Sequence, residues 1–139
     1  MDRNVPVPVE NEQNNIPETK SLQPKEAPVD MKAVLEIFGG NRELLGRFLK
    51  NFLANSPMSL GEVRKAVEER EPDQIRRSAH KFKGSLQYLA AEKSIGYASR
   101  LEEMGREREL DGVDAVFQDL AEAVEEVRRF ILSTPITII

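Results

Sequence analysis

From residue 30 onward, apolar residues recur three and four positions apart, the spacing that gathers them on one side of a helix. Asp30 is placed to cap a short helix reaching Phe38, and Gly39-Gly40 stops it. Asn41 can cap a second helix, with Leu45, Phe48, Leu49 and Phe52 on one face. Pro57 interrupts that pattern, but Leu60, Val63 and Val67 continue it, so a kink or a restart is expected there rather than a long loop. Pro72 suits the first position of a third helix running to about residue 89, and a fourth spans about 91–106. The last helix is expected to begin at Asp111, with Asp114 three residues on in a capping-box-like arrangement. Its stripe of Val113, Val116, Leu120, Val124, Val127 and Ile131 is the cleanest in the chain. Only Ile136 to Ile139, short and β-branched, falls outside this pattern, and the helical reading does not account for it. The fold expected is all-α: an antiparallel up-down four-helix bundle with a short additional N-terminal helix packed across one end.

Residues 1–29 read differently. Pro6, Pro8, Pro17, Pro24 and Pro28 are interspersed with Asn, Gln, Glu and Lys, and too little apolar surface is present to offset the entropy of ordering. The expected organisation is therefore a disordered Pro-rich linker at 1–29, one bundle domain at 30–133 and a tail at 134–139. Such a linker implies a further segment upstream, or a domain that must reach its partner.

Composition narrows the chemistry. Without cysteine there is no disulfide framework or Cys-based metal site, in keeping with a reducing, cytoplasmic setting. No apolar run approaches the ~20 residues needed to span a bilayer, and the N-terminus lacks the continuous apolar segment of a secretory signal, so no membrane contact by this segment is expected. A net charge of −4 argues against general nucleic-acid binding. The charge is nevertheless uneven: between Pro72 and Lys93, five basic residues stand against two acidic ones, an excess of +3 that leaves −7 for the remainder. That island suits an anionic group or an acidic partner; chance clustering on a solvated face is the simpler alternative.

The chain has one histidine. On the 72–89 helix, Ile75, Ala79, Phe82, Leu86 and Leu89 share one direction, and His80 points about 140° away from it, toward solvent. Arg76, Lys83, Gly84 and Gln87 share its face. An exposed imidazole can be an idle surface residue, but it is also a nucleophile available near neutral pH. If it took up a phosphoryl group, Lys83 one turn away could stabilise the added charge. Gly84 costs the helix roughly 1 kcal/mol relative to Ala. It removes bulk beside the histidine and would let a partner surface approach. On the fourth helix, Glu102 lies at the edge of the inner face and returns to the level of His80 across a tight turn near Ala90. There it is either a snorkelling boundary residue or the acceptor for the ring Nδ1–H; the second reading would leave Nε2 as the attacking nitrogen.

Other chemistries lack parts. There is no second His or any Cys for a common zinc site, Ser85 lies on another side of the helix from His80, and no Gly-rich phosphate loop is present. The segment Ala79-His80-Lys81-Phe82-Lys83-Gly84-Ser85 resembles the signature of histidine-containing phosphotransfer (HPt) domains, Ala-His-x-(Leu/Phe)-Lys-Gly-(Ser/Ala). The stretch from Phe38 to Leu45 also resembles the family's opening helix and turn, and the likeness covers roughly residues 28–133. Glu102 falls where the family often carries Gln or Glu beside the histidine. One departure is Leu89-Ala90-Ala91, where many members have Leu-Gly-Ala.

The resemblance implies a phosphocarrier in a two-component phosphorelay, without intrinsic kinase activity and without a cofactor or metal of its own. His80 would accept a phosphoryl group from a receiver aspartate and pass it to another, Lys83 would stabilise it, Glu102 would orient the ring, and Gly84, Arg76 and Gln87 would give the partner access. Expected partners are response-regulator receiver domains, which supply magnesium, and a sensor histidine kinase in the same chain; the domain itself is expected to act as a monomer. Two alternatives stay open at this point: the phosphoacceptor domain of a chemotaxis-type kinase, and a helical adaptor whose His80 is never modified.

Overall fold

Small polar caps and tight turns decide where each helix of this chain starts and stops. The computed structural model describes residues 27–134. Its elements are α1 (Met31–Ile37), α2 (Arg42–Glu68), α3 (Pro72–Tyr88), α4 (Glu92–Glu107) and α5 (Val113–Ser133). Asp30 accepts from the Ala33 N–H at 3.1 Å and Asn41 from the Leu44 N–H at 2.9 Å, as their placement before the apolar stripes predicts. Pro72 opens α3 at its first turn.

The helix ends are less obvious in the sequence. After α2, α3 and α4 the chain turns through Arg70 (φ +54°), Ala90 (φ +50°) and Arg108 (φ +59°), all non-glycine residues in the left-handed region. At Ala90 the Ala91 N–H donates to Leu86 O and the Ala90 N–H to Gln87 O, the paired bonds that close a helix end. Ala90 stands where many members of the resembling family have Gly, and the turn forms without one, at a steric cost of about 1 kcal/mol.

Each long helix packs on the next, α5 closes back on α2, and α1 lies against α2. The result is the expected four-helix bundle with a short added helix. Leu45, Leu49, Ile75, Leu86, Leu101 and Leu120 are fully buried, each contributing about 1.5–3 kcal/mol. Val29 belongs to this core at 1% exposure, so ordered packing begins inside the stretch assigned to the linker. The rest of that linker, residues 1–26, and the Ile136 to Ile139 tail lie outside the described residues.

Of the kink or restart expected at Pro57, the restart does not occur: α2 runs unbroken through it. Proline cannot donate to Leu53 O four residues back; Arg128 of α5 does so instead at 2.7 Å, and also bonds the buried Ser56 Oγ at 2.8 Å. The last helix begins at Val113 rather than Asp111: Gly112 is its N-cap, with φ +79° and no side-chain capping bond. Asp114 is held by the Arg70 guanidinium through both oxygens. That pairing keeps the Asp114 carboxyl below its usual range and raises Arg70.

α3 and α4 approach to backbone contact at Gly105. A methyl group there would sit 2.5 Å from Pro72 O and 2.8 Å from Arg76 N, both backbone atoms that cannot swing aside. Gly84, by contrast, has nothing within 4 Å of the same position. The same substitution should therefore act with opposite sign. Gly105→Ala is expected to destabilise by about 1–3 kcal/mol through overpacking, and Gly84→Ala to stabilise by up to about 1 kcal/mol through helix propensity, both read from denaturant midpoints. Arg128→Met should cost about 1–3 kcal/mol by orphaning Leu53 O and Ser56 Oγ. Much of that loss should vanish in a Pro57→Ala background, where the helix supplies its own donor; equal losses in both backgrounds would refute the substitution of Arg128 for the missing N–H.

Candidate functional site

The glycine contact fixes the register of α3 against α4, and the register decides which side chains meet. With Gly105 over Pro72 and Arg76, the antiparallel pairing carries Glu102, one turn back on α4, opposite His80 and Lys83, one and two turns along α3. His80 Nδ1 lies 2.9 Å from Glu102 Oε2, and Lys83 Nζ lies 2.7 Å from Glu102 Oε1. Arg106, one turn beyond Glu102 on α4, reaches the same Oε2 at 3.3 Å. One carboxylate thus accepts from three side chains on two helices.

Burial is unequal across this cluster. The Glu102 side chain is 10% exposed and that of Lys83 20%, whereas the His80 ring is 67% exposed. Burial pushes the Glu102 carboxyl up, but hydrogen bonds from Lys83 and His80 outweigh it and hold the group below the usual carboxylate range. An ionised carboxylate can only accept, so the proton between the two groups sits on Nδ1. In the neutral ring this leaves the Nε2 lone pair free on a ring that faces solvent.

Gly84 follows His80 by one turn, with open space where a side chain would project. Gln87 is exposed one turn further on. Arg76 is half-buried, its backbone under Gly105, so it is tied to the helix crossing more than the expectation of a partner-facing cation suggested. His80 and Lys83 both meet Glu102, the three residues singled out from the sequence, whereas Arg106 carried no such mark. Its spacing of four from Glu102 on one helix was the available signal.

Beyond Gln87, Tyr88 is 54% exposed and meets Phe38 and Phe48, with ring centroids 6.1 and 5.7 Å away. This trio fastens α1 and the start of α2 to the far end of α3, so the face carrying His80 is braced at one end by aromatic packing and along its side by Glu102.

Comparison with known proteins bears on the fold and the family. The fold matches the crystal structure of histidine-containing phosphotransfer protein B (HptB) from Pseudomonas aeruginosa PAO1 with a TM-score of 0.70 and 23% sequence identity, over 75% of this chain and 90% of that one. No curated protein sequence matches. The family model of the Hpt domain matches residues 47–130, which carry His80, Lys83, Gly84 and Glu102 together. On that match over more than half its length, the chain belongs to the Hpt-domain family, the histidine phosphotransfer modules of phosphorelays.

Proposed function

We propose that His80 is the phosphoacceptor of this domain and that its Nε2 exchanges a phosphoryl group with receiver aspartates. The observation that carries the reading is the 2.9 Å contact between His80 Nδ1 and Glu102 on a ring otherwise open to solvent. In the forward step the Nε2 lone pair attacks the phosphorus of an aspartyl phosphate. The N–P bond forms as the P–O bond breaks, and the receiver's carboxylate leaves with the bonding pair. The Nδ1 proton stays where it is. Positive charge develops on the ring, and Glu102, already ionised and accepting from Nδ1, stabilises it without reorganising. A second receiver reverses the step. The domain contributes a nucleophile and its electrostatics; any divalent cation is left to the receiver, and no ATP-dependent step is assigned to this chain.

Lys83 has a role that its resting position defers. Its ammonium is bound to Glu102 Oε1, on the carboxylate whose other oxygen accepts from the ring, so a short movement would bring it to phosphoryl oxygens. Gly84 leaves the surface next to His80 low, which lets a receiver bring its aspartate in line.

The Glu102 contacts also tie this site to stability. Because the folded carboxyl loses its proton at lower pH than the unfolded one, the folded state binds fewer protons between the two values, and stability rises with pH there. The contribution is complete above the ordinary glutamate range of about 4.3 and is lost as pH falls through the depressed value. Thermal unfolding followed from pH 6 to pH 3 should show the wild type losing more stability than Glu102→Gln. Parallel losses would refute a depressed Glu102.

The direct test is incubation with phosphorylated receiver domains. Label is expected on the wild type and not on His80→Gln. Lys83→Ala should fold normally and transfer about tenfold more slowly. Binding of receivers by both wild type and His80→Gln, with label on neither, would replace the phosphocarrier with an adaptor.

A further inference from the structure

Glu102 has more cationic partners than its single charge requires. At rest Lys83 Nζ holds Oε1 at 2.7 Å, while Arg106 Nη2 reaches Oε2 at a longer 3.3 Å. A phosphoryl group on Nε2 would bring close to two negative charges beside an ammonium already committed to a carboxylate. Lys83 cannot serve the phosphoryl oxygens while it stays on Oε1. If it leaves, Glu102 must keep its charge in a site where the side chain is only 10% exposed, a costly state unless another cation compensates. Resting on the reading of His80 as the phosphoacceptor, the geometry points to Arg106 as a positioning residue that becomes the counter-ion of Glu102 when Lys83 moves to the phosphoryl group, and so governs the release of Lys83.

Arg106 is suited to such a hand-over. Its side chain is 57% exposed, so it can shorten its contact without repacking the core. It sits on the same helix as Glu102, four residues on, and follows the carboxylate through any small shift of α4 against α3. Its fork can take both carboxylate oxygens once Oε1 is vacated, which an ammonium cannot match. It bonds Glu102 on Oε2, the oxygen that already accepts from His80, and leaves Oε1 to Lys83. The resting state therefore holds Lys83 and Arg106 on different oxygens, with neither blocking the other.

The test is steady-state transfer from a phosphorylated receiver, through catalytic amounts of the full chain, to an excess of a second receiver, in four proteins: wild type, Arg106→Ala, Lys83→Ala and the double variant, with Arg106→Lys and His80→Gln as references. Arg106→Ala is expected to lower kcat about fivefold, the size that an exposed ion pair supports, with KM unchanged and an unaltered thermal midpoint. Arg106→Lys should recover only part of the rate, because an ammonium restores the charge but not the two-oxygen fork. In the Lys83→Ala background, removal of Arg106 should change kcat by less than about twofold, because there is no ammonium left to release. A full fivefold loss in that background, or an effect confined to KM, would overturn the hand-over and make Arg106 a docking cation. Wild-type label on His80 with an unaffected Arg106→Ala would overturn this inference alone, whereas no label on wild type would overturn the phosphoacceptor reading beneath it.

Discussion

A carboxylate withdrawn from water needs partners, and in this bundle those partners come from the functional face. Glu102 is ionised at the boundary of the core because Lys83 and His80 compensate it from the neighbouring helix. The same contacts that make this burial tolerable fix the tautomer of the histidine and hold the lysine beside it. Stability and chemistry thus draw on one set of hydrogen bonds. The arrangement exists only because α3 and α4 approach to backbone contact at Gly105. A side chain there would press on the backbone of Pro72 and Arg76 and force the two helices to shift.

The opposite side of the bundle solves a similar problem by different means. Pro57 leaves a carbonyl without its helical donor, and Arg128 supplies one from α5 together with a bond to Ser56. A long helix is thereby kept continuous across a residue that ordinarily breaks it. Arg128 meets both needs because its guanidinium donates to the carbonyl and the hydroxyl at once.

Much of this was legible in the sequence because periodicity reports faces. The stripe on α3 sent His80 outward, and the tight turn near Ala90 brought Glu102 back to its level; both rest on helical geometry alone. The caps at Asp30 and Asn41 were equally plain, since a capping side chain lies within three residues of what it caps. What stayed hidden were groups whose partners lie far along the chain. Arg128 acts on a residue 75 positions away. Asp114, taken for part of a local cap, is claimed by Arg70, 44 positions away. The left-handed turns at Arg70, Ala90 and Arg108 carry no glycine to announce them. Their conformation is imposed by helices packing on both sides, and a local propensity cannot disclose it. Val29 escaped notice because it is a single apolar residue at the end of a polar stretch, and its burial depends on tertiary packing alone.

The turn between α3 and α4 has a further consequence. Only residues 89–91 separate the two helices, and their hydrogen bonds leave no slack. One inserted residue that extended either helix would rotate its face by about 100° and carry Glu102 or His80 out of reach of the other. The link between α4 and α5, residues 108–112, bears no such load on the histidine. Length change should therefore be borne unevenly around this molecule, with the connection that sets His80 against Glu102 the least elastic and the one leading to α5 the natural place for growth.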